Sequence, residues 1–256
     1  MLVRRGGTLT RLLIAGEEAV VVRAWAQAGE IRFRAEAPSR AAAAEGVERM
    51  RFALGVDHDL TGFHARFRRD PLVGPVIRAV PWLRPRRRPE PFEALLWAIC
   101  EQLIDSRRAA RIQRRVVGRH GRRSACGTLV APPTAGWLAA RAPAELDACG
   151  LAPKRSVALV RAAREVAAGR ADLTLHEPSW RRLRAIPDIG SWTIEMLAFE
   201  GQGRDDQLPA LDLKYVRLVG RLAGLGRPAT EDEVREFFAP YEEYAGLAGI
   251  YALQRR

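Results

Sequence analysis

Residues 183–213 decide the fold of this chain, and they read LRAIPDIGSWTIEMLAFEGQGRDDQLPALDL. The segment Ile186–Gly190 predicts a tight turn, because proline fixes φ, Gly190 allows positive φ and Asp188 tolerates it. A helix precedes the turn, and apolar residues at helical spacing predict a second one over Ser191–Glu200. The start of such a helix points backbone N–H groups outward. The hairpin is therefore a candidate site for one phosphate group.

Two aspartates lie in the acidic, Gly-rich loop Gly201–Gln207, and we expect Asp205 and Asp206 to be solvated. After the loop, LPALD places Asp212 directly before an apolar-periodic run. An aspartate in that position is commonly a helix N-cap. From its local sequence alone, a helix cap is the favoured interpretation of Asp212.

The charge of the chain favours a polyanionic partner. The net charge is +12, and all but two of the 42 basic residues are arginine, which a genome-wide compositional bias would also produce. Twelve of these arginines lie within residues 84–123 against four carboxylates, so two-thirds of the excess charge is concentrated there. A uniform bias does not predict such clustering. We therefore favour contact with nucleic acid over a merely solvated basic face.

Several classes of protein are disfavoured by the sequence. No apolar run approaches the ~20 residues that a membrane-spanning helix needs. The N-terminus lacks the apolar core of an export signal. The cysteines, Cys100, Cys126 and Cys149, are odd in number and lack metal-binding or redox spacing. We expect a reduced, cytoplasmic (nucleoid-associated) protein that does not associate with membranes.

The pattern along the chain predicts a mainly α fold with a small N-terminal antiparallel β-sheet, an α+β class. Short alternating runs within residues 8–37 read as strands, and Ser39 caps a helix that runs to about Leu54. Residues 81–89 form an irregular Pro/Arg crossing loop, a helix covers Phe92–Leu103, and residues 121–136 form a loop. We expect residues 1–80 to form a sheet-and-helix platform. Residues 81–256 then form a helical domain that contains the hairpin (about 180–200) and Asp212.

Six stretches of the chain form a recognisable series: PFEA (91–94), AICEQLI (98–104), residues 150–159, IPDIGSWT (186–193), LPALD (208–212) and APYEEYA (239–245). In this order and spacing they resemble the helix-hairpin-helix DNA glycosylases, most closely the 3-methyladenine DNA glycosylase II type. The resemblance covers roughly residues 55–253 and implies a helical glycosylase core. It also implies base-excision repair of alkylated (3-methyladenine- or 7-methylguanine-like) or otherwise damaged purines in double-stranded DNA.

The resemblance implies catalytic and base-pocket residues. It selects Asp212 as the catalytic carboxylate. Trp192 stands where bifunctional relatives carry a lysine that forms a Schiff base, so we predict a monofunctional enzyme without β-lyase activity. Trp192, Tyr241 and Met196 would line the base pocket, where an aromatic ring can stack on a cationic alkylated base. Trp192 and Met196 are equally compatible with ordinary core positions.

The resemblance also implies the DNA contacts. Gln102 and Leu103 match the dipeptide that enters the duplex, where Leu103 would be the wedge that fills the gap left by the extruded base. A leucine at helical spacing is otherwise more often a core residue. The predicted backbone contacts are Ile189, Gly190, Ser191 and Thr193 of the hairpin, with Arg107 and Arg111 of the basic face.

No cofactor is expected, because the iron–sulfur branch of the family needs four grouped C-terminal cysteines and no cysteine follows Cys149. Relatives bind a monovalent cation through hairpin carbonyls when DNA is present, and here Ile186 and Ile189 would supply them. A monomer is the default.

Four residues depart from the family pattern. They are Asp188 (usually Gly), Met196 (often aromatic), Asp105 (usually Ser) and Glu242 (often Arg). Asp188 and Asp105 bring negative charge near the expected phosphates, and Met196 and Glu242 put the substrate range in doubt.

Two alternatives remain to a glycosylase. The hairpin could belong to a non-catalytic module that binds damaged or structured DNA, with Asp212 only a cap. The basic face could instead bind an acidic protein. Turnover separates the first alternative from an enzyme, and steep salt dependence of binding separates DNA from a protein partner.

Overall fold

The computed structural model describes residues 2–255, and within them the chain is mainly helical with a small N-terminal antiparallel sheet, as predicted. The strands are β1 Val3–Arg5, β2 Thr8–Ala15, β3 Glu18–Gln27, β4 Glu30–Glu36, β5 Arg122–Arg123 and β6 Val130–Ala131. The α-helices are α1 Arg40–Leu54, α2 Thr61–Phe67, α3 Gly74–Ala79, α4 Pro91–Glu101, α5 Ser106–His120, α6 Ala135–Ala139, α7 Pro143–Asp147, α8 Pro153–Ala167, α9 His176–Arg184, α10 Ser191–Met196, α11 Leu213–Leu222, α12 Glu231–Phe238 and α13 Ala245–Ala252. A π-helical turn spans Leu197–Gly201 and a 3-10 turn spans Ala239–Tyr244.

The N-terminal sheet has the strand order β1-β2-β3-β4, all antiparallel, and α1 covers one face of it. Val20 and Val22 alternate inward from β3 and pack under α1, as expected for a half-buried strand. Gly46 allows the close approach of α1, since a Cβ there would lie 2.6 Å from the Val20 side chain. The predicted cap of α1 is confirmed, because the Ser39 hydroxyl accepts a hydrogen bond from the Ala42 amide.

The helical part has two hydrophobic cores. The larger one gathers α4, α5, α8 and the hairpin, with Leu95 and Leu159 fully enclosed. The second gathers α2, α3 and the C-terminal helices around Tyr215 and Tyr251. Helices α2 and α3 therefore pack against residues 208–253 rather than against the sheet. The rings of Phe63 and Phe67 on α2 contact Tyr241 and Tyr244 of the 3-10 turn and Tyr251 of α13. The domain boundary at residue 80 stays a prediction.

A buried ion pair joins the sheet to the helical part. Arg11 of β2 binds both carboxylate oxygens of Glu93 on α4, and both residues are buried. The indole N–H of Trp97 donates to the same carboxylate at 3.0 Å. The pair fixes the sheet against α4, the helix that leads directly to Gln102 and Leu103.

Three local predictions need correction. Helix α4 ends at Glu101 instead of Leu103, because the backbone turns at Gln102. The predicted loop at 121–136 contains the short hairpin β5–β6. The second hairpin helix leaves regular α geometry after Met196 and continues as the π turn. Within residues 2–255 no helix is both long and apolar enough to cross a membrane.

Candidate active site

The hairpin has the predicted architecture with a different distribution of backbone angles. Ile186 and Ile189 bury their side chains in the larger core, and the Ile189 amide closes the turn on the Ile186 carbonyl at 3.2 Å. Asp188 takes the left-handed conformation, with φ of 68°, whereas Gly190 has φ of −94°. The expectation that Gly190 supplies positive φ is therefore wrong. Aspartate is among the few non-glycine residues that adopt this conformation readily, so the departure at Asp188 is compatible with the turn.

The surface at the start of α10 is open but not free of negative charge. A Cβ added to Gly190 would meet no atom within 4 Å. Ser191, the first residue of α10, donates its hydroxyl to the Glu231 carboxylate at 3.2 Å. A phosphate at this helix start would have the first-turn amides as donors and would compete with Glu231 for Ser191.

The loop after α4 presents one leucine to solvent. Leu103 is 100% exposed and has φ of 53°, a conformation in which a leucine is strained. The core interpretation of Leu103 is therefore excluded. A large apolar side chain held fully exposed in a strained conformation is suited to insertion into a partner.

Gln102 anchors this loop to the hairpin. Its amide Nε2 donates to the Asp188 carbonyl and to the Thr193 hydroxyl, both at 2.8 Å. The position of Leu103 is thereby tied to the proposed phosphate site. Thr193 is buried and its hydroxyl is engaged by Gln102, so its predicted DNA contact stays a prediction.

Asp212 is the N-cap of α11, so the cap interpretation is correct. Its carboxylate accepts a hydrogen bond from the Lys214 amide at 3.1 Å, and the Lys214 ammonium lies 3.2 Å from the other oxygen. Capping uses one oxygen and leaves the carboxylate partly exposed. Leu211 and Leu213, on either side of it, are exposed leucines. A cap role and a role in charge stabilisation are therefore compatible.

The three predicted pocket residues occupy different environments. Trp192 is partly buried, and its indole Nε1 is enclosed without a hydrogen-bond partner in the described part of the chain. Met196 is buried one turn further along. Tyr241 is 5% exposed, packs on the rings of Phe67 and Phe238, and donates its hydroxyl to Asp70 at 3.0 Å. In this conformation Tyr241 is a core residue, and its contact with a base stays a prediction.

A network that the sequence interpretation did not include connects α10 to the Asp212 loop. Glu195 of α10 is 6% exposed, and its carboxylate accepts from the Ala210 amide at 3.2 Å. Its other oxygen binds Arg235 of α12, and Arg235 also binds Glu231 at 2.6 Å. The available signal was a glutamate between Ile194 and Met196, within a run that is otherwise apolar. Burial raises the pKa of Glu195, an effect that the hydrogen bond and charge of Arg235 oppose.

The expectation that Asp205 and Asp206 are solvated is wrong. Arg87 binds Asp205 at 2.8 Å, and the His58 imidazole lies 2.6 Å from its other oxygen. Arg204 binds Asp206 at 2.8 Å. The acidic loop is thus a fixed connection between α10 and the Asp212 segment. Arg87 belongs to the Pro/Arg segment, so part of the predicted basic cluster is structural.

The basic face of α5 is confirmed as an exposed surface. Asp105 caps the helix by accepting from the Arg107 and Arg108 amides, which gives this departure a structural role. Ile112 and Val116 bury the opposite face. The exposed arginines of α5 form no ion pair within residues 2–255; they are Arg107, Arg108, Arg111, Arg114, Arg115 and Arg119.

The metal and cofactor predictions rest on the sequence. Among residues 2–255, no group of three or more His, Cys, Asp or Glu side chains is arranged to hold a metal ion. Of the two predicted cation ligands, Ile186 and Ile189, the Ile186 carbonyl already accepts the Ile189 amide. A cation at the hairpin stays a prediction.

Comparison with known proteins agrees with this geometry. No protein-family model matches the chain. A DNA-3-methyladenine glycosylase of Bacillus subtilis (strain 168) is 26% identical over 204 residues, which is 77% of this chain and 67% of that protein. DNA-3-methyladenine glycosylase 2 of Escherichia coli (strain K12) is 31% identical over 180 residues, 68% of this chain and 62% of that protein.

Among solved structures, a 3-methyladenine DNA-glycosylase from Archaeoglobus fulgidus has the same fold. The TM-score is 0.82 at 21% identity, and the match covers 98% of this chain and 87% of that chain. By sequence the chain is similar to DNA-3-methyladenine glycosylases, and it shares the fold of the solved Archaeoglobus fulgidus structure. The relatives named above are of the 3-methyladenine type.

Proposed function

We propose that the chain is a DNA glycosylase of base-excision repair that releases alkylated, 3-methyladenine- or 7-methylguanine-like, or otherwise damaged purines from double-stranded DNA. The observation that carries the proposal is the connection of three features through one short helix. Gln102 ties the exposed Leu103 to the hairpin, and Glu195 of α10 ties the hairpin to the loop that bears Asp212. A wedge, a phosphate site and a carboxylate held together are what extrusion and hydrolysis of one nucleotide require.

The proposed reaction divides the work among these parts. Leu103 enters the stack where the damaged nucleotide leaves it, while the start of α10 and the arginines of α5 hold the backbone. Asp212 lies against the sugar and stabilises the positive charge that develops at C1′ as the base departs. Alkylated purines carry positive charge and leave as neutral bases, so a strong general acid is not required.

We propose that the enzyme is monofunctional and acts as a monomer. Trp192 has no amine with which to form a Schiff base at the sugar. Water then completes the hydrolysis, and the abasic strand stays intact. Trp192 and Met196 would line the base pocket, and a cationic purine is attracted to the face of an indole ring.

A binding module without turnover is the second candidate, because the Asp212 carboxylate is engaged both as the cap and by Lys214. Base release separates the two. We predict that the chain frees methylated purines from alkylated duplex DNA, measured by chromatography of the soluble bases. Strands should break only after alkaline treatment. Strand breakage without alkaline treatment would contradict the monofunctional assignment. Binding of damaged DNA without release of bases would favour the binding module.

A further inference from the structure

The segment that delivers Asp212 has little regular structure of its own. Residues 208–212 lie between the acidic loop and α11, and the Asp212 amide bonds within the segment to the Pro209 carbonyl at 2.9 Å. Ala210 is fully buried. A buried amide without an acceptor costs about 1–3 kcal/mol, so the partner of the Ala210 N–H governs how the segment is held.

That partner is the carboxylate of Glu195. The distance from the Ala210 nitrogen to Glu195 Oε2 is 3.2 Å, and Glu195 lies three residues after Trp192 on α10. Arg235 holds the second carboxylate oxygen and is itself bound to Glu231, which accepts the Ser191 hydroxyl. One continuous chain of polar contacts thus runs from the start of α10 to the backbone two residues before Asp212.

A buried glutamate is an expensive way to satisfy one amide. Burial disfavours the ionised form, and the charge of Arg235 compensates only in part. An apolar residue would suit a site between Ile194 and Met196 if packing were the only requirement. The carboxylate instead accepts from two different elements at once and so fixes the distance between the hairpin helix, α12 and the Asp212 segment.

We propose that Glu195 is a positioning residue for Asp212. By accepting the Ala210 amide, Glu195 holds the Asp212 carboxylate at the sugar, and Arg235 fixes the orientation of the Glu195 carboxylate. This inference rests on the proposed glycosylase function. Glu195 does not touch the substrate in this account. Glu195 affects the rate only through the position of Asp212. Displacement of a reacting group by about 1 Å lowers the rate by about 100-fold.

The test uses variants that separate positioning from stability. Glu195→Met removes the acceptor at nearly constant volume but leaves Arg235 without its buried partner, and it can fail to fold. Glu195→Met combined with Arg235→Met removes both charges of the pair, so that Arg235, whose side chain is 44% exposed, is not left without Glu195. Glu195→Gln keeps an oxygen that can accept the Ala210 amide. Glu236→Gln, an exposed glutamate on the same helix as Arg235, is the matched control.

We expect the double variant to stay folded, with a melting temperature lowered by the unpaired Ala210 amide, and to bind abasic duplex with an affinity within about threefold of the native chain. Its single-turnover rate of base release should fall by about 100-fold. Glu195→Gln should recover most of that rate, and Glu236→Gln should match the native chain. A double variant that releases bases at the native rate would overturn the proposal, since Glu195 would then contribute only to the stability of the fold.

Amide hydrogen exchange of residues 208–212 gives a readout that does not depend on activity. The proposal predicts slow exchange at Ala210 in the native chain and in Glu195→Gln, and faster exchange in the double variant. Unchanged exchange in the double variant would overturn the anchoring of the segment. If the native chain releases no base while exchange changes as predicted, the glycosylase function fails and the anchoring stands.

Discussion

At the scale of single residues, the site contains a strained backbone, an exposed apolar side chain and a buried charge, each of which lowers the stability of the fold. Leu103 is an apolar side chain in water on a left-handed backbone. Glu195 is a buried carboxylate on a helix whose neighbouring residues are mostly apolar. Glu242, in the 3-10 turn, is a further residue with unusual backbone angles, with φ of 46° and ψ of −118°. Such positions are typical of functional sites, where the surrounding structure maintains a costly conformation.

Leu103 offers a direct test at this scale. Leu103→Gly should maintain or raise stability, by up to about 1 kcal/mol, because glycine adopts positive φ without strain and no buried contact is lost. The same change should slow base release from duplex DNA by at least about tenfold, since no side chain would fill the gap left by the extruded base. Thermal unfolding and single-turnover release measure the two effects.

The control for this prediction is Leu2→Gly, which removes another exposed leucine, in the sheet platform. It should leave the release rate unchanged. A Leu103→Gly variant that is destabilised, or that works at the native rate on duplex DNA, would contradict the wedge assignment.

At the scale of elements, function is divided between neighbouring helices. Helix α4 and the hairpin present Leu103, the proposed wedge, while α10 and α12 hold the Asp212 segment and α5 supplies an exposed cationic face. The six exposed arginines of α5 have no acidic partner within residues 2–255, while Arg87 and Arg88 pair with the partly buried carboxylates of Asp205 and Glu200. Helix α5 therefore offers six unpaired cationic side chains on one face.

The α5 face predicts a change in the salt dependence of binding. Arg107→Gln and Arg111→Gln should each weaken binding to damaged and undamaged duplexes to a similar extent. Each should reduce the slope of log affinity against log salt concentration by about 0.9, if one phosphate contact is lost per arginine. Fluorescence anisotropy over a range of salt concentrations measures this.

Arg32→Gln is the matched control, because Arg32 is an exposed arginine on the sheet. It should leave the slope unchanged. An unaltered slope in the Arg107→Gln, Arg111→Gln double variant would remove α5 from the DNA-binding surface.

At the scale of the whole molecule, the sequence predicted the class of fold, the sheet, most of the helices and the hairpin. These follow from short-range patterns, such as the spacing of apolar residues and the capping box that Thr230 and Glu233 form at the start of α12. Contacts between distant segments could not be derived in this way. Examples are the Gln102 link to the hairpin, the ion pairs of Asp205 and the packing of α2 against α13.

The same limit explains the errors at the site. A leucine at helical spacing looks like a core residue until the chain is seen to turn at Gln102. A loop rich in aspartate looks solvated until Arg87, more than 100 residues earlier, is brought beside it. The N-cap role of Asp212 was available from local sequence, whereas its connection to Glu195 through Ala210 depends on tertiary packing.

The central claim is that Asp212 stabilises charge at the sugar, and Asp212→Asn tests it most directly. Asparagine is as good an N-cap as aspartate, so α11 and the melting temperature should be retained. Loss of the negative charge should lower the single-turnover rate of base release from methylated duplex by at least about 100-fold, with binding to abasic duplex preserved. Release at the native rate by a folded Asp212→Asn chain would contradict the account.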